Sequence, residues 1–520
     1  MEVSINPTSA ALVCVAITIP WFIFQLVLSY QQQQESSNIP NAKDAVPLLG
    51  HALQYKKDPP GCIRDQEKRT NSKVFRLNLA GRHMVIVGSC PDTMKYVATQ
   101  PESVLSSCRA VAEIGFEYTL GHFNVYQGTA WHKTILKNYI MGDQFQTVFL
   151  PAIYQALGRA VTEETKALSS NNSSSGRQLD YVAGSDLFLF ARRCVLRATL
   201  DQFVSPFLLQ EDPQLLNALM IFQDMVEDAT AKAAVLPRWV SLPLCLWPTE
   251  KARKVLQHRI ARLLQTMWNK ASDDPSCCIL GPWSKTYMEE QTLPELAAEH
   301  LIGLIFAAHK NPSIGAAQSL CFLKSELREE QQQQATKEAT RLCHVLTLAN
   351  GTSSVAALVE ATTLRACVLE TMRVTAHTLG ALRYVEKTID LPTCNTTTNQ
   401  PLRIAQGETI SMAHHTMHME PSIWGETPAK FSIDRPEWQN MTKSQHDNIG
   451  IPIDAYKLTT FSNGLHKCPG EKVALAIMEA LVAIWLTKGV EIVGELPPVS
   501  FERATLAQRA GPVGFRIQQE

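Results

Sequence analysis

A mainly α fold with small β-sheets, preceded by a single N-terminal transmembrane helix, is what this sequence predicts. Three observations carry that reading. Apolar residues recur with helical spacing over 292–328, 355–375 and 470–488. Two shorter stretches, "VFRLNLAGRHMVIVGS" around Gly81 and "LRIAQGETISM" around Gly407, alternate apolar and polar residues and read as β-hairpins. From Ala10 to Tyr30 the chain is mostly apolar and carries no charge, enough to cross a hydrocarbon core of about 30 Å.

The N-terminal run, "AALVCVAITIPWFIFQLVLSY", contains Pro20, where it can kink, and Trp21 and Tyr30, which suit a membrane interface. "MEVSINPTS" supplies no basic n-region and "LSYQQQQ" no small-residue cleavage site. Residues 1–30 therefore read as an uncleaved anchor rather than a signal peptide. Glu2 is the one charge before the span, whereas Lys43, Lys56, Lys57 and Arg64 come after it. That asymmetry places the main domain on the cytoplasmic side.

Residues 31–60 read as a polar and proline-rich linker. Gln31 to Ser37 are polar, and Pro40, Pro47, Pro59 and Pro60 stiffen the second half of the segment. No boundary or internal repeat breaks 61–520, which reads as one large catalytic domain. A second glutamine run, Gln331 to Gln334, reads as an exposed loop among helices.

A formal charge of −1 provides no basic field for nucleic acid, and 45% hydrophobic residues allow a large core. The 13 cysteines are odd in number and form no C-x-x-C pair, which argues against a disulfide framework or a zinc site. Most thiols, including Cys277 and Cys278, read as small buried hydrophobes in a cytosol-facing protein. Sequons at Asn172, Asn350, Asn395 and Asn440 would matter only in a lumenal domain.

The most specific stretch is "FSNGLHKCPGEK", Phe461 to Lys472. Pro469 and Gly470 lead into a long apolar helix, so Cys468 precedes a helix N-terminus, where free N–H groups favour a thiolate. Gly464 and Gly470 permit a tight loop around the sulfur, and Phe461 shields it. One shielded thiolate without a second cysteine nearby suits the axial ligand of a haem iron.

This stretch resembles the haem-binding loop of cytochromes P450, with Phe461, Gly464, Cys468 and Gly470 in register. His466 stands at the usual basic position, where the resemblance implies a hydrogen bond to a haem propionate. The family's Glu-x-x-Arg has three candidates here: Glu250/Arg253, Glu338/Arg341 and Glu370/Arg373. Only the last, in "ACVLETMRV", is well placed, and i,i+3 residues share a helix face. Arg435 in "PAKFSIDRP" completes a structural triad by resemblance, a guanidinium fork on a carboxylate. Arg383 is by resemblance the arginine that meets a haem propionate. Trp131 in "YQGTAWHKTILKN" resembles the other propionate helix. Ile135 replaces the usual arginine there, so His132 or Lys133 substitutes. The anchor and "VPLLGHALQYKKDPP" resemble the microsomal type, which implies an endoplasmic reticulum membrane protein.

The helix expected to cross the haem departs from the family. In "LIFAAHKNPSIGAAQ", Ala307 and Ala308 keep the small-residue gap, but Lys310 stands at the acid position and Asn311 at the threonine position. Pro312 interrupts the helix ladder. A lysine cannot act as the carboxylate of a proton relay. Asn311 can hold a water or a substrate oxygen, and His309 can shuttle protons near neutral pH. His309 and Lys310 have an alternative orientation, away from the haem. Asparagine at that position resembles the branch of sterol hydroxylases and prostacyclin synthase.

The resemblance implies a membrane-anchored haem-thiolate monooxygenase. Its cofactor is haem b, and its electrons come from NADPH through NADPH–cytochrome P450 reductase. Molecular oxygen and a lipophilic substrate, steroid- or terpenoid-like and in fungal secondary metabolism, complete the reaction. Lys467 and Lys472, with His466, lie where an acidic reductase would dock. Two alternatives stand beside this: a haem-thiolate peroxide isomerase or dehydratase needing no reductase, and a non-catalytic haem-binding protein.

Overall fold

Ala80 (φ 52°) and Gly81 (φ 90°) both take left-handed backbone, which reverses the chain tightly between two antiparallel strands. These are β1 (Val74–Leu79) and β2 (Arg82–Val87), the first expected hairpin. The structure is a computed structural model. It describes residues 38–47, 49–128, 134, 144–172, 181–236, 238–274, 280–348, 354–392, 401–439, 454, 456–503 and 505–518. The expected anchor, Trp131, His132, Lys133, Ile135, Cys277, Cys278, Asn350, Asn395 and Asn440 lie outside the described residues. Among the described residues, no helix is long and apolar enough to cross a membrane.

Ten further strands are β3 (Leu105–Ser106), β4 (Tyr181–Gly184), β5 (Gly380–Val385), β6 (Ile389–Leu391), β7 (Leu402–Ile404), β8 (Thr409–Met412), β9 (Glu491–Val493), β10 (Val499–Ser500), β11 (Gln508–Arg509) and β12 (Gly514–Gln518). The largest sheet has the order β1-β2-β8-β5-β3, so early and late segments share one sheet. The pairing of β2 with β8 is parallel. The stretch around Gly407 is therefore not the hairpin its alternation suggests. β7 pairs with β6, whereas β8 lies between β2 and β5. Alternation marks strands, but partners are chosen by which buried faces meet.

The rest is helical. The longer helices are α1 (Leu150–Asn172), α2 (Leu187–Phe203), α3 (Leu215–Val235), α4 (Trp247–Asp273), α5 (Pro294–Ala308), α6 (Lys310–Glu326), α7 (Glu329–Leu348), α8 (Thr362–Val374) and α9 (Glu471–Thr487). The periodic stretch over 292–328 is thus two helices, broken at His309 (φ −113°). Proline at 312 has no N–H for the Ala308 carbonyl, so the ladder loses a rung there and resumes with Ser313 N–H on the His309 carbonyl at 3.1 Å. The stretch over 355–375 is likewise split, because Glu338 accepts the Thr363 and Leu364 amides and starts α8 afresh. Gln331 to Gln334 form not a loop but part of α7, with Gln333 and Gln334 exposed, where glutamine is a good helix former and Gln334 bonds Glu338 at 3.0 Å.

Residues 38–60 are not a free linker. Ile39 is buried, and Arg76 N–H on β1 donates to the Pro40 carbonyl at 2.8 Å, so this segment covers the open edge of β1. Cys62, Cys194, Cys245, Cys321 and Cys367 are buried free thiols, as expected, but Cys90 is disulfide-bonded. The main core is the apolar cluster of the long helices, within which α6 packs against α8 and α9. Within that packing Gly315, three residues after Pro312, lies against Met478 of α9.

Candidate active site

Glu370 on α8 is fully buried and accepts five hydrogen bonds. Arg373, one helical turn on, donates from Nε and Nη2 to the two carboxylate oxygens, both at 2.8 Å. Arg435 Nε adds a bond at 2.9 Å and the Ser432 amide one at 3.0 Å. The fifth comes from Trp438 Nε1 at 3.0 Å, a donor that the sequence reading missed. Its one signal is proximity, three residues after Arg435. Both guanidiniums also bind carbonyls. Arg373 reaches His418 at 2.6 Å, and Arg435 reaches Trp424 at 2.8 Å and Lys430 at 2.6 Å. A buried carboxylate with two arginines stabilises only when every donor and acceptor is met, as here.

The other candidates behave differently. Glu250 pairs with Lys254, and Arg253 with Glu299. Glu338 caps α8, while Arg341 pairs with Glu360.

His418 carries the triad's geometry to the cysteine loop. Its Nε2 accepts the Thr459 amide at 2.8 Å, so its Nδ1 holds the proton and donates to the Arg373 carbonyl at 3.0 Å. Burial, then the nearby His414 and Arg373, push its pKa well below the usual value, which keeps the ring neutral. Thr460 Oγ1 donates to the Met372 carbonyl at 3.0 Å. The loop from Thr459 onward is thus pinned to α8 at two successive residues.

Within the loop, Gly464 is required twice. Its φ is +63°, and a Cβ there would lie 2.3 Å from the Ala98 carbonyl oxygen. Cys468 N–H donates to the Phe461 carbonyl at 2.8 Å, and Phe461 is buried. Cys468 is a free cysteine and an exposed residue. Burial raises the thiol pKa. The Gly470 N–H and Lys467 act to lower it, and Glu471 to raise it. The expected support from the start of α9 is therefore present, but burial outweighs it for the bare thiol.

Arg383 on β5 is buried, its Nη1 bonded to the Leu382 carbonyl at 2.8 Å. Its Nε is buried with no hydrogen-bond partner among the described residues. Burial lowers its pKa to about 10 against the pull of Glu102. His466 lies nearby along the chain's contacts, with Nε2 3.4 Å from the Gln100 carbonyl and Nδ1 3.5 Å from Glu102. Burial raises the Glu102 carboxyl, but bonds from Ser107, Ser106 and two amides outweigh it, so its pKa is low. An orphaned guanidinium donor, a histidine that shares the neighbour Glu102 with it, and the exposed Cys468 two residues after that histidine fit the acidic edge and the metal of a haem. Cys468 would hold the iron, and Arg383 and His466 its carboxylates. Among the described residues, no cluster of three or more metal-ligating His, Cys, Asp or Glu side chains competes with that assignment.

On the crossing helices, Ala307 is exposed, and Ala308 and Asn311 half-buried, whereas His309 and Lys310 are buried on the other side. Asn311 Oδ1 accepts the Leu506 amide at 3.4 Å, and its carboxamide nitrogen makes no hydrogen bond among the described residues. His309 donates from Nδ1 to the Ile305 carbonyl at 2.7 Å. Burial, helped by the Arg192 charge, holds its pKa at about 3, so it does not titrate near neutral pH as a proton shuttle would. Lys310 gives its ammonium to Asp224, at 3.2 Å, and to Glu227, both on α3. Of the three residues expected on this helix, the structure leaves Asn311 with an uncommitted donor on the accessible face.

Two comparisons bear on this arrangement. Residues 40–488 match the family model described as Cytochrome P450. No curated protein matches the chain.

Proposed function

This chain belongs to the cytochrome P450 family, and from that premise we propose that it is a haem-thiolate monooxygenase that oxidises a lipophilic, steroid- or terpenoid-like substrate. The observation that carries the reading is Cys468 at the start of α9, an exposed free cysteine whose backbone N–H is fixed on the Phe461 carbonyl and whose thiol meets the Gly470 N–H. Haem bound there supplies activation of dioxygen and transfer of one oxygen atom to a C–H bond. The chain's part is to hold and shape. Cys468 ligates, and Arg383 and His466 neutralise the carboxylate edge. Ala307 and Ala308 leave room, and the Asn311 carboxamide donates to an oxygen of substrate or water.

Electrons come from NADPH through NADPH–cytochrome P450 reductase. Support for that docking is the exposed Lys467, which pairs with Glu471 at 2.7 Å, and the partly exposed Lys472. An endoplasmic reticulum location facing the cytoplasm is supported by the apolar run from Ala10 to Tyr30 and the basic residues after it. The apolar crossing helices support a terpenoid or steroid skeleton, consistent with fungal secondary metabolism.

One observation favours a second reading, peroxide isomerisation without a reductase. Lys310 is committed to Asp224 and Glu227, so the position of the usual acid holds no carboxylate. The test is the carbon monoxide difference spectrum of the reduced protein, wild type beside Cys468→Ala. A red-shifted Soret band present in wild type and absent from the variant is expected. Absence of that band from folded, haem-loaded wild type overturns the assignment. NADPH-dependent oxidation of steroid and terpenoid panels, against turnover of a lipid hydroperoxide without NADPH, separates the two readings.

A further inference from the structure

Gln223 places a carboxamide in the interior, 4% exposed, on a stretch of α3 where Phe222 and Val226 are buried too. Such a group costs free energy unless it is bonded. Its one hydrogen bond among the described residues runs from Nε2 to the Phe306 carbonyl on α5, at 3.4 Å.

That carbonyl lies at the helix break. The chain bends at His309, which belongs to neither helix nor to a hydrogen-bonded turn. In an unbroken helix the Phe306 carbonyl would accept the Lys310 N–H, four residues on. Gln223 supplies a donor from another helix in its place. The Ile305 carbonyl is met in a similar way by the His309 ring, at 2.7 Å. Side chains take over where the backbone ladder stops.

Met220, Gln223, Asp224 and Glu227 are spaced i, i+3, i+4 and i+7 and share one face of α3. Asp224, at 3.2 Å, and Glu227 hold the Lys310 ammonium just past the bend. One face of α3 therefore grips α5 before the bend and α6 after it. Arg192 on α2 fixes that face in turn. It donates to the Met220 carbonyl at 2.8 Å and to the two Asp224 oxygens at 2.9 and 3.0 Å. Phe306 and Lys310, the two gripped residues, flank Ala307 and Ala308, and Asn311 follows Lys310 directly.

We propose that Gln223 is a positioning residue, which with Asp224 and Glu227 sets the angle of the break and so aims the Asn311 carboxamide. This deepens the reading above and rests on it for what Asn311 meets. The first experiment is hydrogen exchange of the full-length protein, wild type beside Gln223→Met, which keeps the bulk and removes the donor. Exchange at Ser313, whose N–H lies on the His309 carbonyl, should speed up about threefold or more, with α9 unchanged. The second is the infrared stretch of carbon monoxide on the reduced, haem-loaded protein. Gln223→Met should shift that band in the same direction as Asn311→Leu, and the double variant no further than Asn311→Leu alone. A residue that served stability only would move the unfolding midpoint without following Asn311 in this way. Unchanged exchange at Ser313, or two band shifts that simply add, overturns the proposal. Hydrogen exchange needs no haem, so failure to form the carbon monoxide complex would count against the haem-thiolate reading, while Ser313 still decides whether Gln223 holds the break.

Discussion

Lys310 on the crossing helix donates its buried ammonium to Asp224 on α3 at 3.2 Å, with Glu227 as a second partner. The contact ties the helix break next to Asn311 to α3. Asp224 also holds Arg192, at 2.9 Å, so one exposed carboxylate serves two cations. The lysine is thus a positioning residue for the break, and its charge points away from the accessible face of Ala307.

Lys310→Met should cost about 1–2 kcal/mol, since the carboxylates it leaves are partly solvated and Asp224 keeps Arg192. With Glu227→Gln the two losses should be non-additive, the double variant losing less than the sum by about 0.5 kcal/mol or more. Urea denaturation of the four proteins measures the coupling. Strict additivity would show that the two side chains do not interact.

Glu370→Gln should destabilise by about 3–5 kcal/mol, because Arg373 and Arg435 are then left as buried charges without a counter-charge. The Thr459–His418–Arg373 connection predicts that haem retention falls along with stability. Haem content per folded protein, set against the unfolding midpoint, checks both. A variant of wild-type stability would remove the triad from the structural role given to it.

Gly464→Ala and Gly470→Ala should differ. At 464 the side chain meets a positive φ and the Ala98 carbonyl oxygen at 2.3 Å, so a loss of about 2 kcal/mol or more is expected. At 470 a Cβ meets only the Cys468 sulfur, at 3.9 Å, an ordinary contact, and the loss should stay below about 1 kcal/mol. Thermal unfolding of the two variants side by side decides it. The reverse order would mean that the loop does not approach Ala98.

His309 ties stability to pH. Its folded pKa, about 3 through burial and the Arg192 charge, lies below the unfolded value of about 6.5. The unfolded chain therefore takes up the proton first, and the contribution is complete above pH 6.5 and lost as pH falls toward 3. Glu67 and Glu479, raised to about 7 by burial, act in the opposite sense, so the wild-type profile is a sum. The difference between wild type and His309→Gln isolates the one ring. The wild type should lose about 2 kcal/mol more than the variant between pH 7 and pH 5. Parallel profiles would show that His309 protonates equally in both states.

The cysteine loop and the Glu370/Arg373 pair are legible in the sequence because their chemistry is local. A positive-φ glycine, a proline at a helix start and an i,i+3 carboxylate–guanidinium pair each need only near neighbours. The helical stretches and the individual strands are legible for the same reason, since periodicity is a short-range property. What only the tertiary structure decided are the long-range partners. These are β8 between β2 and β5 rather than paired with β7, Trp438 and His418 around the triad, and the turning of Lys310 onto Asp224. The burial of His309, which ends its use as a neutral-pH shuttle, is of the same kind. Side-chain direction near a helix break, strand pairing and desolvation all depend on residues far along the chain that meet only when the core closes. Residue type and spacing carry no record of that meeting.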